Sequence, residues 1–176
     1  MKIVVITGSP HEKGTSNLLA DEFIRGAEES KHDVFRFDSA FEDVHPCTGC
    51  DKCFSGKCVF DDSMEKLNPH LLEADLIVFV TPLYYFGMSA QLKSVIDRFY
   101  ANNSRIMSNE NKSLLFATSW DANDWTMEAL LNHYNILVKY LNFENMGTIM
   151  ATGCGVRSDI ENTDYPKQAY TIGKSL

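Results

Sequence analysis

The 176-residue sequence lacks any run approaching the ~18 consecutive apolar residues that a membrane span needs. It is also short of positive charge, with 16 Lys and Arg against 24 Asp and Glu, a formal net charge of -8. A phosphate backbone or an anionic bilayer would be repelled by that balance, so no nucleic acid and no membrane is expected as partner. Local basic sites for a small phosphate stay open. The opening apolar run ends at Gly8-Ser9-Pro10, too early for a secretory signal, and a cytoplasmic location is the expectation. There is no low-complexity tract, no internal repeat and no linker. Cysteine is not scarce: of five, four fall within Cys47–Cys58, and they read as ligands or free thiols before disulfides.

The apolar share of 44% and charged share of 23% suit a globular chain, and the length predicts a single domain over 1–176. Lys2–Thr7 is a β-branched run expected as a buried strand. Thr15 or Ser16 is expected to cap a helix carrying Leu19, Ala20, Phe23, Ile24 and Ala27. Asp33–Asp38 reads as a second strand. Residues 40–60 have no period, hold the cysteines and read as a functional insert. Asp61 or Asp62 is placed to cap a helix reaching about Glu73, with Pro69 expected to kink or break it. Leu76–Thr81, "LIVFVT", is the strongest strand signal. An amphipathic helix follows through Met88, Leu92, Val95, Ile96, Phe99 and Tyr100. Ser113–Ser119, a helix over Met127–Leu141, a strand over Gly147–Thr152 and a short last helix complete the chain.

Strict alternation of strands and helices predicts an α/β, three-layer, doubly wound sandwich. Five strands favour the flavodoxin-like parallel order 2-1-3-4-5, whose ligands sit beyond the carboxyl ends of the strands. Three loops should converge there: Gly8–Asn17, Pro82–Gly87 and Ser119–Asp124.

The first loop, "GSPHEKGTSN", is rich in hydroxyl and amide donors at a helix amino terminus, which favours a dianion. A P-loop would need lysine after the second glycine, where Thr15 stands. A dinucleotide fingerprint would need three glycines at fixed spacing. A receiver domain would need carboxylates where Thr7 and Thr81 stand. A terminal monophosphate suits the loop better than a triphosphate. A plain strand-to-helix connection with Ser16 as cap is the alternative.

With "GSPHEKGTSN" and "TPLYYFGMSAQLKSVIDRF" together, residues 1–155 resemble the NAD(P)H-dependent FMN reductase family, and also its iron–sulfur flavoprotein branch. The first loop is similar to the family pattern Gly-Ser-x-Arg-x-x-Ser-Asn at Gly8, Ser9, Ser16 and Asn17, with a longer insert and His11 in place of the arginine. The resemblance implies FMN held by Ser9, His11, Thr15, Ser16 and Asn17 at its phosphate. It implies Pro82, Leu83, Tyr84, Tyr85, Phe86 and Gly87 at the ring, with Gly87 allowing close backbone approach. Ser119 and Trp120 would stand at the ring's other edge. An aromatic core turn is the alternative reading of the second loop, and a core or interface role that of Trp120. Gly153-Cys154-Gly155 ends the fifth strand at the same face; a pocket wall is one reading and a flexible loop the simpler one. His32, His45, His70 and His133 lie outside all three loops.

Cys47, Cys50, Cys53 and Cys58 give C-x2-C-x2-C-x4-C. Closely spaced thiolates on a turning loop can converge on an iron–sulfur cluster. The spacing resembles that of iron–sulfur flavoproteins and implies a 4Fe-4S cluster, with Lys52 and Lys57 offsetting its charge. Zinc and free thiols are the alternatives.

The resemblance implies redox catalysis in which FMN carries the chemistry between NAD(P)H and a small acceptor: quinone, flavin, nitro or azo compound. No side chain is then an obligatory acid or base. A homo-oligomer, dimer or tetramer, is implied, often with FMN at the protomer interface. The second reading is an iron–sulfur flavoprotein or flavodoxin-type electron carrier serving a protein partner, and the third a flavin-free scaffold.

Overall fold

The computed structural model describes residues 1–176. In chain order it runs β1 (Lys2–Thr7), α1 (Thr15–Glu29), β2 (Asp33–Asp38), α2 (Met64–Glu73) and β3 (Leu76–Pro82). It continues through α3 (Ala90–Arg98), α4 (Asn103–Ser108), β4 (Lys112–Thr118), α5 (Glu128–Tyr140), β5 (Glu144–Ala151), α6 (Arg157–Glu161) and α7 (Tyr165–Ser175). Short 3-10 turns occupy Lys52–Ser55 and Phe99–Asn102.

The five strands pair in parallel in the order β2-β1-β3-β4-β5, as the alternation predicts. Every residue of β3 is buried, so its unbroken apolar run serves both faces. Alternate side chains divide between two cores. Ile77 and Phe79 join Leu92, Val95 and Tyr134 under α2, α3 and α5. Val78 and Val80 join Leu19, Phe23 and Ala169 under α1 and α7. Helices α1 and α7 touch backbone to backbone. A Cβ on Gly26 would lie 2.3 Å from the Tyr170 carbonyl oxygen, and one on Gly173 2.2 Å from that of Phe23.

Several local expectations are corrected. The cap residue of α1 is Gly14, and Thr15 and Ser16 lie inside the first turn; neither side chain caps. Pro69 sits within an unbroken α2. Its missing N–H falls on the exposed side, while Leu67 and Leu71 stay fully buried and hold the helix through it. Ser63 is the formal cap of α2, but the Met64 N–H donates to Asp62 Oδ1 at 3.1 Å. The strand β5 starts at Glu144, ahead of Gly147, because a register shift beside Ser113–Leu115 carries the ladder past a glycine at φ 123°. The carboxyl-terminal segment forms two helices where one was expected, and α4 is a helix with no counterpart in the sequence reading. No helix is long and apolar enough to cross a membrane.

Candidate functional site

Beyond the carboxyl ends of β1, β3 and β4 lies a cavity of about 460 Å³, within the size range of small-molecule sites. Its walls include Ser9, His11, Lys13 and Thr15 from the first loop, Pro82, Leu83 and Tyr84 from the second, and Thr118, Ser119 and Trp120 from the third. The three loops therefore meet as expected. No carboxylate lines the cavity, although the chain carries a net charge of -8. Lys13 and Arg157 are its cations, and Lys13 makes no ion pair whereas Arg157 binds Glu161 at 2.8 Å.

The amino terminus of α1 is an open set of donors. With no side-chain cap, the backbone N–H groups of Thr15, Ser16 and Asn17 have no acceptor in the chain; that of Leu18 reaches the Gly14 carbonyl at 3.2 Å. No acidic residue occupies the first turn. The Ser16 hydroxyl is buried and has no partner. A buried hydroxyl left unpaired is costly and rare enough to need a reason. Thr15 Oγ1 lies 2.9 Å from Thr118 Oγ1, joining the first loop to the third.

Asn17 is also fully buried, but it does not line this cavity. Its Nδ2 donates to the carbonyls of His11 and Glu12 at 3.0 and 3.1 Å, so it braces the loop, and its Oδ1 is unpaired. Ser9 folds the same segment inward, its hydroxyl accepting the His11 N–H at 3.2 Å. Asn17 faces a second, charged cavity with Lys13, Asp21, Arg36 and Asp38. Ser16 lines neither cavity.

The second loop closes as a two-residue turn in which Tyr84 and Gly87 exchange N–H···O bonds of 3.1 Å. Positive φ falls on Tyr85 (45°) and Phe86 (63°). Gly87 itself is not in the left-handed region, so its conformational freedom is not what shapes the turn. Bulky side chains at positive φ are uncommon, and such strain collects at functional sites. Tyr85 projects wholly into solvent and Phe86 rests on Trp125, ring centroids 5.2 Å apart. Of these residues only Tyr84 reaches the cavity wall.

In the third loop, Ser119 donates to the Asp121 carbonyl at 2.6 Å. Trp120 is 84% exposed, its indole so close to Gly155 that a Cβ there would lie 2.3 Å from Cδ1. Asp121 is held below the ordinary carboxylate range by Thr126 and Asn123, so it is occupied with shaping its own loop.

A fourth wall comes from Cys154, Gly155, Val156 and Arg157, which follow β5 and line the cavity; of the two sequence readings of Gly153-Cys154-Gly155 the pocket wall holds over the flexible loop, and Val156 and Arg157 were not foreseen. The Cys154 N–H donates to the Ser119 carbonyl at 2.7 Å, and burial pushes its thiol up. The position of this segment at the carboxyl end of a parallel strand was the available signal.

Cys47, Cys50, Cys53 and Cys58 line one further cavity with Phe60, Tyr100 and Arg98. All four are free thiols. The Lys52 N–H and the Thr48 hydroxyl hold the Cys50 thiol below its usual range. No three His, Cys, Asp or Glu side chains in the structure are drawn together as they would be around a metal ion. The cation facing the thiols is Arg98, not Lys52 or Lys57; Lys57 is drawn away by Glu65 and Asp61. Arg98 stands three residues after Val95 on the apolar side of α3, a place where an arginine signals a buried partner.

A family model described as NADPH-dependent FMN reductase matches residues 1–152. An iron-sulfur flavoprotein of Archaeoglobus fulgidus is 34% identical over 99 residues, 56% of this chain and 45% of that protein. One of Methanocaldococcus jannaschii is 35% identical over 99 residues, 56% of this chain and 51% of that protein. The chain thus spans about half the length of these curated relatives. Among solved structures, the NAD(P)H:quinone oxidoreductase from Methanothermobacter marburgensis superposes with a TM-score of 0.80 at 18% identity, covering 99% of this chain and 94% of that one. An FMN-dependent NADH-azoreductase from Bacillus anthracis, solved with FMN, gives 0.71 at 15% identity, covering 100% and 99%. At those identities the likeness speaks for the fold.

Proposed function

This chain belongs to the NADPH-dependent FMN reductase family, and from that premise we propose that it binds FMN beside β1 and uses it to pass electrons from a reduced nicotinamide to a small acceptor. One observation carries the reading. In a chain of net charge -8, a carboxylate-free cavity with Lys13 on its wall adjoins the uncapped amino terminus of α1, whose three free N–H groups and buried Ser16 hydroxyl lack partners. A phosphate is the group that answers those donors.

The residues present fit FMN. Ser9, Thr15, Ser16 and the first amides of α1 would hold its phosphate, with Asn17 bracing the loop behind them. Lys13 supplies positive charge beside His11, which stands where the family pattern has arginine. Pro82, Leu83 and Tyr84 would flank the ring, and Gly87 would close the adjoining turn, whose Tyr85 and Phe86 side chains lie off the cavity wall. Ser119, Trp120 and the Cys154–Arg157 segment would stand opposite. FMN, when bound, supplies reversible acceptance of two electrons. The side chains would bind and orient it and exclude water. The FMN bound to one azoreductase neighbour supports FMN as the cofactor, and the quinone and azo compounds in neighbours' names support a small-molecule acceptor.

A second group is favoured by a specific observation: four thiols share one cavity beneath a buried arginine, and the relatives of both archaea are named iron-sulfur flavoproteins. The donor set fits a thiophilic metal group by chemistry, and we take the four cysteines as ligands of a 4Fe-4S cluster.

Titration with FMN followed by anaerobic addition of NADPH tests the main reading. Stoichiometric uptake and rapid bleaching of the flavin absorbance are expected. A chain that takes up no FMN ends the proposal. One that holds FMN yet stays yellow with NADPH and NADH is an electron carrier instead.

A further inference from the structure

The cysteine-bearing segment is closed at its neck by a single ion pair. Arg98 and Asp62 have side chains only 3% and 0% exposed, whereas every other ion pair between oppositely charged side chains here leaves both partners more than a quarter exposed. Burying such a pair is not a cheap route to stability, since desolvation offsets the attraction. What this pair does is geometric. Arg98 Nη1 donates to Asp62 Oδ2 at 2.5 Å and Nη2 to Oδ1 at 3.2 Å. Nη1 also donates to the His45 carbonyl at 2.8 Å, and Asp62 Oδ2 accepts the His45 N–H at 3.1 Å. His45 precedes Cys47 by two residues and Phe60 follows Cys58 by two. Their rings stack at 4.9 Å, with the guanidinium 5.2 Å from the Phe60 centroid. The two ends of the loop are thereby fastened to each other and to the last residue of α3. Arg98 is also the only cation on the wall of the cavity that the four thiols share.

We propose that Arg98 and Asp62 are the positioning residues of the four-cysteine loop, pinning both of its ends so that Cys47, Cys50, Cys53 and Cys58 present themselves to one thiophilic metal group beside a fixed positive charge. This rests on the reading of those cysteines as a ligand set. An arginine is required because its planar fork spans both carboxylate oxygens and the carbonyl together, which an ammonium cannot do.

The test is an anaerobic titration of the reduced full chain with cadmium ion against a competing chelator. Thiolate-to-cadmium absorption reports both affinity and the number of thiolates engaged. Arg98→Met and Asp62→Asn are each expected to weaken cadmium binding at least tenfold and to lower the absorption per bound ion, with Arg98→Lys recovering only part of the loss. The far-ultraviolet circular dichroism and the FMN affinity of the other cavity are expected to stay at wild-type values, which separates this effect from unfolding. Folded variants that bind cadmium as tightly as wild type, with the same absorption per ion, overturn the positioning role while leaving the ligand reading intact. A wild-type chain that binds no cadmium overturns both. Should Arg98→Met fail to fold, the same criteria apply to Asp62→Asn and Arg98→Lys.

Discussion

The hydroxyl of Ser89 donates to the carbonyl oxygen of Gly8 at 2.7 Å, fastening the start of α3 to the loop that leaves β1. Ser89 Oγ in turn accepts the Leu92 N–H at 3.3 Å, and the Ser89 N–H is taken by Thr81 Oγ1 at 3.0 Å. One buried side chain thus serves as helix cap and as tie between the two loops proposed to hold the phosphate and the ring of FMN.

Ser89→Ala is expected to cost about 1–2 kcal/mol, the range of a lost cap with a buried partner left unpaired. Gly8→Ala is expected to cost as much or more, because its Cβ would lie 2.3 Å from Ser89 Oγ and 2.7 Å from Leu92 Cβ. The double variant should be less unstable than the two losses added, since removing Ser89 Oγ relieves part of the clash. Urea denaturation midpoints check all three; strict additivity would refute the coupling.

Ser16→Ala separates folding from binding. Its hydroxyl is buried without a partner, so removal should leave the stability of the FMN-free chain unchanged or slightly higher. If that hydroxyl meets a phosphate, FMN affinity should fall roughly tenfold to a hundredfold, the worth of a hydrogen bond to a charged group. Fluorescence titration with FMN gives the affinity, and an unaltered Kd would remove Ser16 from the site.

Burial pushes the Tyr134 hydroxyl from 10.0 up to about 12, with its hydrogen bond to Ser113 acting weakly the other way. The folded chain therefore holds this proton more tightly than the unfolded chain. Stability from this group is intact below about pH 10 and is lost as pH rises toward 12, by roughly 2–3 kcal/mol in total. Tyr134→Phe should be less stable than wild type near neutral pH, having left Ser113 unpaired, and the gap should shrink or reverse above pH 10. Denaturation of both chains across pH 8–11 measures it; a constant gap would contradict the shift.

The sheet was legible because its three central strands, β1, β3 and β4, are largely buried and mostly apolar, and because strand order follows from alternation and length. Leu76–Thr81 could be placed with no knowledge of its neighbours. Features set by contacts between distant residues were not legible. Pro69 survives inside α2 because Leu67 and Leu71 are packed from the far side. Ser16 looks like a cap in any local reading, and only the three-dimensional chain leaves it inside the helix, buried and unpaired.

At the site, the three loops could be foreseen from the ends of the strands. The fourth wall was signalled only by its place after β5, because Gly153-Cys154-Gly155 carries no local pattern and is fixed by Cys154 bonding back to Ser119. Within the expected loops, Tyr84 reaches the cavity and Tyr85 does not, a distinction made by a two-residue turn whose hand is invisible in the letters alone. Arg98 went unnoticed because its partner, Asp62, lies 36 residues away.

That turn has a consequence for how the chain can be altered. Asn-Gly in place of Tyr85-Phe86 would relax the backbone at no cost in hydrogen bonds. Two aromatics in a conformation that disfavours them therefore carry a cost that Asn-Gly would remove, and that exchange separates what the turn contributes to folding from what it contributes to the proposed flavin site.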